Sequence, residues 1–162
     1  RHNGHAAYNA WAAAIRDDGE FDRRPIDELR HRYHVHQDAV GTIAEGRWYA
    51  HNFIRRIVAD AAARTDPERA GALRDLQRTA ALPELQRARA LPHLQRAAEC
   101  YDAEHTLMWQ VWGLVGGPGD GDEQATRFVD PAVRRQTADL ILQARDRDVE
   151  AIRAIEDALR AW

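Results

Sequence analysis

An all-α fold, an up-down helical bundle of long helices, is predicted by three observations. Apolar residues recur at alternating spacings of three and four over long stretches. The alternation of apolar and polar residues that marks a half-buried strand is absent, and proline and glycine cluster at a few points that divide the chain. At 162 residues the chain is long enough for one domain, residues 1–162, burying roughly two thirds of its unfolded surface.

A first helix is expected near residues 4–16, with Tyr8, Ala12 and Ile15 on one face and an end before Asp17-Asp18-Gly19. Pro25 fits the first turn of a second helix reaching about Thr65, where a missing N–H costs no helical hydrogen bond. Its inward face reads Leu29, Tyr33, His36, Val40, Ile43, His51, Ile54, Val58 and Ala61. Gly41 and Gly46 each disfavour helix by up to about 1 kcal/mol against alanine, so a kink or break is expected there.

A nine-residue repeat follows: LRDLQRTAA from Leu73, LPELQRARA from Leu82 and LPHLQRAAE from Leu91. Nine residues at about 100° each make about two and a half turns, so the copies cannot share one stripe of a straight helix. Pro83 and Pro92 disfavour helical backbone at the residue before each. A connection of short helices joined by bends is therefore expected. The next long helix carries Leu94, Ala98, Tyr101, Met108, Trp112 and Val115 at spacings of three and four, with His105 on the missing beat. Gly116-Gly117-Pro118-Gly119-Asp120-Gly121 reads as a loop, after which Asp130 caps and Pro131 starts a final helix to Trp162. Its stripe is Val133, Leu140, Ala144, Ala151, Ile155 and Leu159, with Asp148 on the missing beat.

Composition removes several chemistries. The chain contains no serine and no lysine, which excludes serine nucleophiles, lysine Schiff bases and lysine phosphate clamps from it. A net charge of -3 argues against a general nucleic-acid or acidic-membrane binder. No run reaches the 18 or so apolar residues of a membrane span, and the first residues lack the apolar core of a secretory signal. A cytoplasmic chain is expected. Cys100 is the single cysteine and stands outside any nucleophile motif.

A buried imidazole or carboxylate is costly unless it is paired, hydrogen-bonded or bound to a metal, which draws attention to His105 and Asp148. An antiparallel return of the third helix along the second brings His51 level with Ala98 and Glu99. A second return across the glycine loop brings Asp148 to a similar level, with Asp102 and His105 within about two turns. His51, His105 and Asp148 are thus candidate metal ligands, with Asp102 orienting a ligand or completing the shell. Taken singly, each also reads as a hydrogen-bonded core residue. Trp11, Trp48, Trp109 and Trp112, with His36, are candidate walls of an apolar substrate pocket. His31, His34, Asp38, Glu45 and Asn52 form a second stripe that reads as a solvent face, although His34 and Asp38 are spaced to reach a common point.

Asp102-Ala-Glu-His105 is an acidic-x-x-His pattern on a helix and resembles half of the carboxylate and histidine set of ferritin-like di-iron bundles. The run from Glu99 to Trp109, closing at Gly113-Leu-Val-Gly-Gly117, is also similar to helical redox enzymes of the haem-oxygenase-like superfamily. Together these cover less than a fifth of the chain. Three residues after Asp148 stands Ala151, where a second such motif would need histidine, so one metal fits better than two. The resemblance implies oxidation of a small organic substrate by oxygen at a non-haem metal. Imidazole and carboxylate ligands suit a divalent transition metal, iron foremost, and also manganese or zinc.

Two functional expectations result. One is a metal-binding bundle, a non-haem iron oxygenase or oxidase acting on a small organic molecule. The other is a non-catalytic interaction or ligand-binding module, self-associating as a dimer or other homo-oligomer through amphipathic helices that end in Trp162.

Overall fold

The computed structural model describes residues 4–64, 81–117 and 121–162. Among them are five α-helices and no strand: α1 His5–Arg16, α2 Ile26–Arg64, α3 Ala81–Leu114, α4 Asp122–Val129 and α5 Pro131–Ala161, with a 3-10 turn at Asp18–Glu20. The fold is all-α, a packed bundle, as the spacing of apolar residues predicts. No helix among the described residues is long and apolar enough to cross a membrane.

Local chemistry sets the helix ends. Asp17 adopts extended backbone and its side chain accepts a hydrogen bond from the Gly19 N–H at 3.0 Å, so the chain turns instead of continuing α1. At α5 the Asp130 carboxylate accepts from the Ala132 N–H at 2.7 Å, and Pro131 occupies the first helical position. Helix α4 is not foreseen from sequence, because its eight residues are about two turns, shorter than the stretch over which helical periodicity is read. It starts at Gly121, whose φ of 98° suits glycine. A Cβ there would lie 3.0 Å from Arg30 Cγ and 3.2 Å from His34 Nε2. Arg30 Nε donates to Asp122 Oδ1 at 2.6 Å and ties the start of α4 to α2.

Two expected interruptions do not occur. Helix α2 runs through Gly41 and Gly46. A Cβ on Gly41 would lie 3.7 Å from Trp112 Cζ3, an ordinary packing distance. Helix α3 runs through Pro92 without a break. Proline removes the hydrogen bond to the carbonyl of Ala88, but Ala88 and Pro92 are both exposed, so water can serve the freed oxygen. The buried residues that follow, Ala97 and Ala98 among them, hold the helix by packing. The short-helix reading is corrected there for the second and third repeat copies, while residues 73–80 of the first copy lie outside the described residues.

The chain packs as two compact units, Arg1–Arg47 with Ala103–Arg147 and Trp48–Asp102 with Asp148–Trp162. In the first unit, α1 contributes Tyr8, Ala12 and Ile15 to the core, and α2 contributes Leu29, Tyr33, Val40 and Ala44. Met108 and Val111 of α3, Val115 just past its end, Phe128 of α4 and Ile141 of α5 complete most of it. The second unit has a smaller core of Ile54, Ala97, Ala98, Cys100, Tyr101, Ala151 and Ala154.

Candidate ligand-binding site

One face of α2 in the first unit lines a cavity of about 480 Å³. Glu28, His31, Arg32, Val35, His36 and Ala39 contribute to it, a run of spacings of three, one, three, one and three that keeps all six on one side of the helix. Trp11, Ala14 and Ile15 of α1 face them, and Phe21 and Phe128 close the apolar wall. His31 and Val35 are exposed and mark the mouth. The volume falls in the range of about 300–1,000 Å³ typical of small-molecule sites.

His36 is the unusual member. It is 5 % exposed, and neither ring nitrogen has a hydrogen-bond partner. Among the described residues it is the one ionisable side chain whose polar atoms are all buried and unbonded. Its surroundings are rings: Phe128 lies 4.7 Å away between centroids and Trp11 lies 5.3 Å away. Burial lowers its pKa from 6.5 to about 4, so the imidazole is neutral at pH 7. A neutral imidazole has one N–H to donate and one lone pair to accept with.

One turn before His36, Arg32 donates to Glu20 through Nη1 and to Glu28 through Nη2 at 3.0 Å, while its buried Nε has no partner. The Glu28 hydrogen bond, foremost, raises its pKa above the ordinary arginine value. Near the Phe21 wall, buried Arg134 places its guanidinium 4.5 Å from the Phe21 ring centre and donates to Asp18 and to the Val129 carbonyl.

The residues singled out from sequence fall in different places. Of the expected pocket walls, His36 and Trp11 line the cavity. Trp109 stacks on Trp112 at 4.8 Å and 22°, and neither is among the walls. Trp48, in the second unit, is exposed and meets Tyr49 edge-on at 5.0 Å.

Of the expected metal ligands, His105 belongs to the first unit and His51, Asp102 and Asp148 to the second. Trp109 Nε1 can only donate, so His105 Nε2 accepts from it at 3.0 Å and Nδ1 donates to the Ala44 carbonyl at 2.8 Å. Neither nitrogen of His105 keeps a lone pair for a metal in this arrangement. His51 Nδ1 donates to the Ala98 carbonyl at 2.9 Å, Asp102 is exposed, and Asp148 is buried at 6 % exposure. Among the described residues no three histidine, cysteine, aspartate or glutamate side chains stand together as a metal site.

Sequence reasoning missed Glu104, which is 0 % exposed. The Tyr8 hydroxyl donates to its Oε1 at 2.6 Å and Arg47 Nε to its Oε2 at 2.7 Å. The buried stripe of α3 runs through Ala97, Tyr101, Glu104, Met108 and Val111 to Val115 just past the helix end, with the same three-four rhythm as the expected stripe. Tyr101, Met108 and Val115 belong to both stripes, whereas Ala98, His105 and Trp112 each sit one residue after Ala97, Glu104 and Val111, so Glu104 takes the inward place given to half-buried His105.

No family model matches the chain, and no curated protein or solved structure matches it.

Proposed function

We propose that the first unit is a small-molecule-binding module whose ligand occupies the cavity between α1, α2 and α4. The carrying observation is an apolar, aromatic-walled cavity of ligand size, lined by Trp11, Ile15, Phe21 and Phe128 with buried His36 in its wall. The ligand is compact and largely apolar, to match the apolar and aromatic walls. This reading takes up the ligand-binding expectation and needs no metal.

Ligand-observed NMR with a panel of uncharged bicyclic aromatic fragments tests it. Ala14 lines the cavity yet is exposed, so Ala14→Trp can fill the space without entering the core. Affinity should fall at least tenfold in that variant, with the helical circular dichroism signal retained. Fragment binding that Ala14→Trp leaves unchanged, or no binding at all, would remove the proposal.

A further inference from the structure

We infer that two copies of this chain associate through the second unit, with their α2 helices antiparallel and in contact along Tyr49, Phe53, Arg56 and Asp60. The ligand-binding reading plays no part in this and could fail without touching it.

The second unit carries its large apolar side chains on the outside. Its core is mostly alanine, with Ile54, Cys100 and Tyr101. Among the described residues, seven of the ten large apolar side chains that stay exposed belong to this unit, and four of those lie on α2 between Trp48 and Ile57. Tyr49 is 65 % and Phe53 is 66 % exposed. Clustered apolar surface of this kind marks an interaction face.

The order of side chains along the face selects its occupant. Tyr49, Phe53, Arg56 and Asp60 are exposed and follow one another at spacings of four, three and four, which keeps them on one side of the helix. That series of spacings is the same in both directions. An antiparallel second copy therefore sets Tyr49 opposite its Asp60 and Phe53 opposite its Arg56, and the two-fold axis makes each pair twice. Both pairs are complementary. The Tyr49 hydroxyl donates to the facing carboxylate, and the Arg56 guanidinium covers the facing Phe53 ring. Among the described residues neither Arg56 nor Asp60 is held in an ion pair, although four residues on one helix face separate them. A parallel pair would set arginine against arginine and aspartate against aspartate, which the antiparallel pair avoids. From Tyr49 to Asp60 the contact is about 16 Å long, the size of a weak and reversible interface below about 1,200 Å² in total.

Sedimentation velocity of the full chain over about 5–500 µM should show a monomer–dimer equilibrium with a dissociation constant in roughly the micromolar range. Phe53→Arg puts like charges face to face and should raise that constant at least tenfold, with the helical circular dichroism signal retained because the position is exposed. Register is read by cross-linking under mild oxidation. Chains carrying Tyr49→Cys mixed with chains carrying Asp60→Cys should form a disulfide with each other, and neither should do so alone, because in this register each position lies eleven residues, about 16 Å, along the axis from its own copy. Cys100 is buried and common to every sample. A monomer throughout the concentration range would overturn the inference, whatever else covers the face. A dimer that Phe53→Arg leaves intact, or cross-linking of either cysteine variant with itself, would overturn it as well. The cross-linked chains keep Phe53, so that result does not depend on whether Phe53→Arg folds.

Discussion

Glu104 and His36 are both buried in the first unit, and their surroundings are opposites. Glu104 is held by Tyr8 and Arg47 from two other helical segments, at 2.6 and 2.7 Å. His36 is packed against Trp11 and Phe128, with both nitrogens unbonded. The first niche is complete within the fold, and its carboxylate fastens α1, α2 and α3 to one another. The second lacks its polar partner and opens on a cavity. A buried polar group that the fold satisfies fastens its helices together, whereas one that it leaves unsatisfied costs stability.

The contrast makes the two positions respond oppositely to the same substitution. The largest effect belongs to Glu104→Leu, which removes the shared acceptor of Tyr8 and Arg47 and should destabilise the protein by about 3–5 kcal/mol. Denaturant unfolding at pH 7 measures it, and a loss below about 1 kcal/mol would dissolve the distinction between the niches.

Next in size is a pH effect at His36. Once unfolded, this residue takes up a proton below its ordinary pKa of 6.5, whereas the folded protein resists protonation until about 4. The folded state thus holds fewer protons across that window, and the stability present above pH 6.5 is lost as pH falls towards about 4. The loss is on the order of 3 kcal/mol from this group. Other charged or titratable residues lining the cavity are Glu28, His31 and Arg32. Unfolding curves at several pH values, taken alongside a His36→Leu variant, isolate this contribution: the variant should lack this part of the acid dependence. Parallel pH profiles in the two proteins would count against a neutral buried imidazole.

The smallest effect is the gain from His36→Leu at pH 7, where removing two unbonded nitrogens from an apolar wall should stabilise the fold by about 1–2 kcal/mol. A rise in denaturation midpoint with unchanged slope is the expected result. Destabilisation comparable to that of Glu104→Leu would mean that His36 is held by the fold as Glu104 is.

Much of the helical plan could be read from one-dimensional pattern. On α2 the buried residues Leu29, Tyr33, His36, Val40 and Ile54 all lie on the expected inward face. The caps at Asp17 and Asp130 are chemical and local, and they stop and start helices where expected. The continuity of α3 through Pro92 is different, since it depends on that position facing outward. His36 and Trp11 could be picked out as pocket residues because each is a polar or aromatic side chain on an apolar face. That His36 has no partner could not be picked out, because partners come from other helices.

What this sequence determined by itself is therefore the all-α class, the places of the long helices and, for most of α2, the side of the helix that turns inward. Backbone hydrogen bonding imposes a period of about 3.6 residues, and a stripe of apolar side chains records it directly. Only the tertiary structure decided which of two neighbouring residues of α3 turns inward between Tyr101 and Met108, since adjacent positions of a helix differ by about 100° in direction. Glu104 rather than His105 points inward there because Tyr8 and Arg47 meet its carboxylate. The same packing places Trp109 and the Ala44 carbonyl against His105, which occupies both of its nitrogens. Burial and bonding of a side chain depend on what the neighbouring helices bring to it, and that information lies far away along the chain.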